Sequence, residues 1–125
     1  MGTWDTGNFA NDGARDFLDE LIERLSETVG EILADDQRAA LDEDGEAVVM
    51  PTIDLLAVLC DRYGSSAPAA ATIVAWRERY PRIFDDQIDD LAPAAGFKDE
   101  RRAVIVHTFE RLLDCAYADG GARGE

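Results

Sequence analysis

The sequence of 125 residues has few of the side chains on which most enzyme chemistry depends. It contains one histidine, His107, so a single chain cannot build a metal site from several imidazoles. None of its serines lies in the turn motif of a nucleophilic hydrolase, and no glycine-rich phosphate-binding loop is present. We therefore expect no cofactor and favour a non-enzymatic protein, with carboxylate-based chemistry as the alternative.

Cysteine is also scarce, with only Cys60 and Cys115, and the two form no Cys-x-x-Cys motif. In a reducing compartment such residues are usually small, buried, apolar side chains. We favour that interpretation over the two alternatives, a metal site and a structural disulfide.

Long apolar runs and a basic N-terminus are missing as well. No stretch approaches the roughly 18–20 apolar residues needed to span a bilayer. No basic residue precedes Arg15 and no apolar segment follows the start, so the N-terminus does not fit a secretory signal. These absences predict a cytoplasmic protein that does not bind membranes.

Positive charge is the last scarce property. The chain has 12 basic and 27 acidic residues, a net charge of −15, and residues 1–50 alone carry 14 acidic and 3 basic residues. Such a surface repels a phosphate backbone, so we expect no nucleic-acid binding. It complements a basic protein and speeds association with one. The alternative is that the charge serves only solubility.

What the chain does have is helical periodicity, clearest in a first helix that begins near Asn11 or Asp12, either of which can cap it. Nine apolar residues fall on one side: Ala14, Phe17, Leu18, Leu21, Ile22, Leu25, Val29, Ile32 and Leu33. The other side carries the predicted interaction surface: Asp16, Asp19, Glu20, Glu23 and Glu27. Repulsion between like charges four residues apart costs about 1–2 kcal/mol in total. Burial of the apolar side outweighs it, so the helix should form.

The remainder also favours helices. A second helical run contains Pro51 and ends at Gly64, with Leu55, Leu56, Leu59 and Cys60 facing inward. A third ends before Pro81, a short helix or turn follows in residues 82–96, and the last runs from about Asp99 to Ala118. Its apolar stripe is Ile105, Phe109, Leu112, Leu113 and Ala116. The pattern predicts an all-α fold, a single compact bundle of about five helices over residues 1–118, with a flexible tail at 119–125.

One acidic segment, DDQIDD at residues 85–90, contains the D-D-x-x-D spacing of Asp85, Asp86 and Asp89. In all-α prenyl-diphosphate synthases such acids hold Mg²⁺ against a diphosphate. The similarity is confined to these letters, because those enzymes need a longer bundle and a second acidic site. We favour a solvated helix start, with a metal site at these residues, or a carboxylate site at Asp12 and Asp16, as the alternative.

The opening stretch, MGTWDTGNFANDGARDF, is unlike the rest of the chain. Its matching positions are Met1, Gly2, Trp4, Gly7, Phe9, Asn11, Asp12, Ala14, Asp16 and Phe17. Through them the chain resembles a bacterial family, domain of unknown function 4259. Asp5 stands where that family usually has glycine. The resemblance implies an α-helical fold and brings no established activity.

We expect this opening stretch to be an ordered loop that closes one end of the bundle. Ordering ten residues costs roughly 10–20 kcal/mol of backbone entropy, whereas burial of Trp4 and Phe9 returns only about 3–6 kcal/mol. Polar side chains must therefore contribute hydrogen bonds. We predict that Trp4 and Phe9 cover one end while Asn11, Asp12 and Asp16 tie the loop to the helix. A ligand-facing loop is the alternative.

Together these patterns favour a small acidic domain that binds another protein. Its partner is unknown, and a basic protein fits the charge, as in an immunity or anti-toxin protein that neutralises a basic effector. The rival is a metal- or small-ligand-binding protein or enzyme that uses carboxylates. Either a monomer or a homodimer is compatible with the sequence. A homodimer would be indicated by an apolar patch that a single chain leaves exposed on its outer helices.

Overall fold

A computed structural model of the chain describes residues 7–64 and 66–123. Within these ranges the fold is all-helical, with no β-strand. The α-helices are α1 (Asp12–Leu33), α2 (Met50–Tyr63), α3 (Ala70–Gln87) and α4 (Phe97–Arg123). The segment Leu41–Val49, which we call the π-helical segment, precedes α2 and is interrupted by a kink with non-helical backbone at Glu43. A short 3₁₀ helix, Ile88–Leu91, follows α3.

The described part of the chain thus has four α-helices instead of about five, because α3 does not end at Pro81. The helix continues through Pro81 to Gln87 and absorbs the first six residues of the segment predicted as a separate element, of which only the short 3₁₀ helix Ile88–Leu91 remains. A proline inside a helix removes one backbone hydrogen bond and costs about 3 kcal/mol. Here Tyr80 and Phe84, on either side of Pro81, are completely buried. Packing of this face outweighs the penalty.

The predicted apolar side of α1 is largely confirmed. Its buried members are Leu18, Ile22, Val29, Ile32 and Leu33. The helix also passes through Gly30 without a break. The prediction for Phe17 is wrong, since its side chain is 59% exposed. Phe17 lies about 100° around the helix from Leu18, beyond the edge of the face that the other helices cover.

Asn11 caps the start of α1, as predicted. Its Oδ1 accepts a hydrogen bond of 2.7 Å from the backbone N–H of Ala14, which satisfies one of the free donors at the helix start.

Replacing Asn11 with alanine is expected to lower the free energy of unfolding by about 1 kcal/mol, because the Ala14 N–H loses its acceptor. Urea denaturation measures the change. Asn8→Ala is the matched control: Asn8 is exposed, just outside the helix, and its loss should change stability by less than about 0.5 kcal/mol. Equal effects of the two substitutions would contradict the capping role.

The loop before α1 packs on the end of α2. The ring of Phe9 contacts that of Tyr63, with 4.7 Å between centroids, which agrees with the covering role predicted for Phe9. Trp4, its predicted companion, lies outside the described residues. Asp12 and Asp16 are exposed and form no hydrogen bond with the described residues, so the ties expected from them are not found there.

Arginine side chains hold both ends of α1. At its start, Arg15 donates hydrogen bonds of 2.7 and 2.9 Å to the backbone carbonyls of Tyr63 and Gly64, where α2 ends. At its end, Nε of Arg79 on α3 donates to the carbonyl of Leu33. Arg15 thus binds the C-terminal end of α2 and Arg79 binds the C-terminal end of α1. A cation is favourable at each because the carbonyl end of a helix is negative.

The core lies where α4 packs against α2 and α3. All five residues of the predicted α4 stripe are buried. In α2 the inward face is Ile53, Leu56, Ala57 and Cys60, so the inward orientation predicted for Leu55 is wrong, and its side chain is 53% exposed. A helix turns about 100° per residue, and Leu55 therefore points away when Leu56 points in.

Cys60 and Cys115 form a disulfide, so our interpretation of them as free thiols is wrong. The crosslink joins the last turn of α2 to α4, with 6.4 Å between the two Cα atoms, a separation that a disulfide can bridge. The two cysteines are 55 positions apart. They meet only because α2 and α4 pack side by side, which the local sequence does not indicate.

The last helix is longer than predicted. It continues to Arg123, past the expected end at Ala118, and the flexibility predicted for residues 119–125 stays a prediction. None of the helices in the described ranges combines the length and the apolar composition that a bilayer-spanning helix requires.

Candidate interaction surface

The outer side of α1 is a continuous negative surface. Seven exposed carboxylates lie along it: Asp12, Asp16, Asp19, Glu20, Glu23, Glu27 and Glu31. We call these seven residues the acidic face; they include all five residues of the predicted interaction surface. From first to last they extend about 28 Å along the helix axis. They are exposed because the opposite side of α1 is the one that packs into the core.

No carboxylate of the acidic face forms an ion pair with a described residue. The six acids that do form ion pairs lie elsewhere: Asp36, Asp44, Glu46, Asp54, Asp85 and Asp89. Of the two arginines on α1, Arg15 is bonded to backbone carbonyls and Arg24 is exposed. The acidic face therefore keeps most of its negative charge, whereas six acids on other parts of the described surface are paired with neighbouring cations.

Phe17 adds an apolar group to this charged surface. It lies between Asp16 and Glu20 along the helix, and more than half of its side chain is accessible. Sequence reasoning missed it as a surface residue, because its position fits the apolar stripe as well as the edge of the polar side. An exposed aromatic ring beside carboxylates is suited to contact a partner's arginine or apolar side chain.

The three candidate metal ligands near the end of α3 are not brought together as a free acidic site. Asp85 accepts two hydrogen bonds from Arg102, of 2.9 and 3.0 Å, and Lys98 lies 3.1 Å from Asp89. The hydrogen bond from Arg102 lowers the pKa of Asp85 below its usual value. Asp86 is exposed. A metal ion here would have to displace two cations that the protein already supplies.

More broadly, no three histidine, cysteine or acidic side chains in the described ranges are grouped closely enough to hold a metal ion. His107 is exposed.

One polar cluster was not predicted from the sequence. Glu46, in the π-helical segment, accepts a hydrogen bond from the hydroxyl of buried Tyr80 and one of 2.7 Å from Nε of Arg101. Burial, reinforced by Glu46, raises the pKa of Tyr80 far above its usual value, so the phenol stays a hydrogen-bond donor. The cluster joins the π-helical segment, α3 and α4. Its hydrogen bonds connect these three elements to one another.

Comparison with known proteins identifies a family but no activity. A model of the family described as "Domain of unknown function (DUF4259)" matches residues 2–116, nearly the whole chain. No curated protein and no solved structure matches the chain.

Proposed function

The chain belongs to the DUF4259 family, whose description assigns no activity, and we propose that it works by binding a basic protein through the acidic face of α1. The observation that supports this most directly is the contrast in ion pairing. Six acids elsewhere have cationic partners within the chain, although others, among them Asp90, Glu110 and Asp114, have none among the described residues. The acidic face differs in that all seven of its neighbouring acids lack such a partner in the same ranges. Charges left in this state are available to a partner's lysines and arginines.

The expected mode of binding follows from electrostatics. A net charge of −15 attracts a basic partner over a distance of about 8–10 Å at ordinary salt concentrations, and association becomes slower as salt is added. Once the partner is in place, Phe17 gives the contact an apolar centre. Neutralisation of a basic effector, as by an immunity or anti-toxin protein, is one concrete form of this function.

Compartment and assembly are part of the same proposal. We place the protein in the cytoplasm, where the Cys60–Cys115 disulfide has to be compatible with a reducing environment. The protein acts as a monomer or a homodimer. In a homodimer the contact would use apolar side chains that α2 and α4 expose, among them Leu55, Val58, Val104 and Tyr117.

Reversing charge on the acidic face is expected to abolish binding of the basic partner. The variant replaces Glu20, Glu23 and Glu27 with lysine. The control replaces Asp90, Glu110 and Asp114 with lysine. These are three exposed acids without an ion pair to described residues, so the control has the same net charge as the acidic-face variant. Each protein is immobilised and exposed to host extract at low salt. The captured protein is identified, and its dissociation constant is then measured by calorimetry at several salt concentrations.

The proposal expects one basic protein to bind the unmodified chain and the control, to weaken as salt rises, and to be lost from the acidic-face variant. Each close charge contact removed should weaken binding by about tenfold or more. Capture of nothing at low salt would contradict the proposal. So would equal binding by the two variants, because only the overall charge would then matter.

A further inference from the structure

We propose that the Cys60–Cys115 disulfide is a reversible crosslink, which a low-molecular-weight thiol opens by attacking Sγ of Cys115. Cys115 is then a site of S-thiolation, a modification in which a small thiol is held on the protein as a mixed disulfide. The inference rests on the disulfide and its surroundings and does not depend on the proposed partner.

Access distinguishes the two sulfur-bearing residues. Cys60 is 5% exposed and packs in the last turn of α2, whereas Cys115 is only partly buried. A groove of about 380 Å³ opens over Cys115 and is not lined by Cys60. The other residues that line it are Ala57, Asp61, Arg111, Asp114 and Ala118. A thiolate must reach a sulfur to attack it, and of the two cysteines only Cys115 lines the groove.

The charged side chains of the groove do not decide which sulfur is attacked. Arg111 lies one helical turn before Cys115 and lines the same groove, but its Nη1 is 3.5 Å from Oδ1 of Asp54 on α2, so its charge is already paired. The carboxylates of Asp61 and Asp114 line the groove as well. The choice between the two sulfurs therefore depends on access, and burial of Cys60 blocks attack there.

The exchange balances without any metal or cofactor. The attacking thiolate forms a bond to Sγ of Cys115 while the bond between the two cysteines breaks, and Cys60 leaves as a thiolate that takes a proton from water. A second small thiolate then attacks the sulfur of the first. Cys115 leaves as a thiolate, which also takes a proton from water, and a small-molecule disulfide is released. In total the protein gains two electrons and two protons.

Trapping the intermediate tests the order of attack. The oxidised protein is treated briefly with limiting 2-mercaptoethanol, a small thiol that carries no charged group besides its reacting thiolate. Acid stops the exchange, iodoacetamide alkylates any free thiol, and mass spectrometry of the peptides locates both groups. We expect the mixed disulfide on Cys115 and the alkyl group on Cys60. A mixed disulfide mainly on Cys60, or two free thiols before any reductant is added, would overturn the proposal.

A pair of variants tests the groove itself. Ala118→Phe narrows the groove at an exposed position one turn after Cys115, and should slow opening by 2-mercaptoethanol several-fold. Ala103→Phe is the matched control. It adds the same ring at an exposed α4 position that lies about 18 Å from Cys115 along the helix. Circular dichroism confirms that both fold. Equal opening rates in the two variants would contradict attack through the groove.

Discussion

Removal of the Cys60–Cys115 crosslink is expected to lower the free energy of unfolding by about 2–4 kcal/mol. The bond joins residues 55 positions apart, and the loss of loop entropy in the unfolded chain gives about 4 kcal/mol for a loop of that length. The crosslink also fixes α2 against α4, the helix on which α3 packs as well. For a domain of this size the melting temperature should fall by roughly 10 °C.

Three samples distinguish the contribution of the covalent bond to stability from the contribution of packing by the two sulfur atoms. They are the oxidised protein, the same protein reduced with a phosphine, and the double variant Cys60→Ala with Cys115→Ala. Urea denaturation should place the reduced protein and the double variant close together and well below the oxidised protein. The phosphine should leave the double variant unchanged. A difference of less than about 1 kcal/mol between oxidised and reduced protein would show that the bond contributes little to stability.

The second large effect is expected from Gly45→Ala, at a cost of about 3 kcal/mol or more. Gly45 is buried in the π-helical segment, where a Cβ would collide with the carbonyl oxygen of Ala39 and lie 2.9 Å from that of Ala40. The ring of Tyr80 would be 3.2 Å away. The obstacles are mainly backbone atoms, which cannot turn aside as a flexible side chain can. The segment would have to move away from the backbone of Ala39 and Ala40.

Gly30→Ala is the matched control and should have the opposite sign. Gly30 lies inside α1, and a Cβ there would meet nothing within 4 Å. Alanine favours a helix over glycine by about 1 kcal/mol, so this variant should be slightly more stable than the unmodified protein. Thermal and urea unfolding measure both changes. If Gly45→Ala were as harmless as Gly30→Ala, the close backbone approach at Gly45 would not exist in solution.

The parts of the fold that could be predicted are those with a local signal. Asn11 precedes an amphipathic run, and Gly64, with φ of 63° at the end of α2, is the residue type that such a helix end favours. The prediction that the third helix ends before Pro81 is wrong because the local effect of proline is to stop a helix. The packing of Tyr80 and Phe84, which keeps the helix intact, depends on helices distant in sequence. The number of helices therefore depended on tertiary contacts.

The features of the candidate site also differ in whether a local sequence signal or a long-range contact determines them. The acidic face could be predicted because its residues are neighbours on one helix, and their spacing alone places them together. The exposure of Phe17 depends on where the other helices lie. The pairing of Cys60 with Cys115, and of Glu46 with Tyr80 and Arg101, joins positions far apart in the sequence. No periodicity or motif links such positions in a single chain.

The arginines at the two ends of α1 have a consequence for recognition. Arg15 ties the start of α1 to carbonyls at the end of α2, and Arg79 of α3 binds the carbonyl of Leu33 at its end, so both ends of the helix are held against its neighbours. In the proposed complex the backbone of the acidic face is therefore in place before a partner arrives, and the ordering entropy lost on binding is mainly that of the side chains. The proposed surface would then select among basic proteins by the spacing of their cations, matched to a rise of about 5.4 Å per turn.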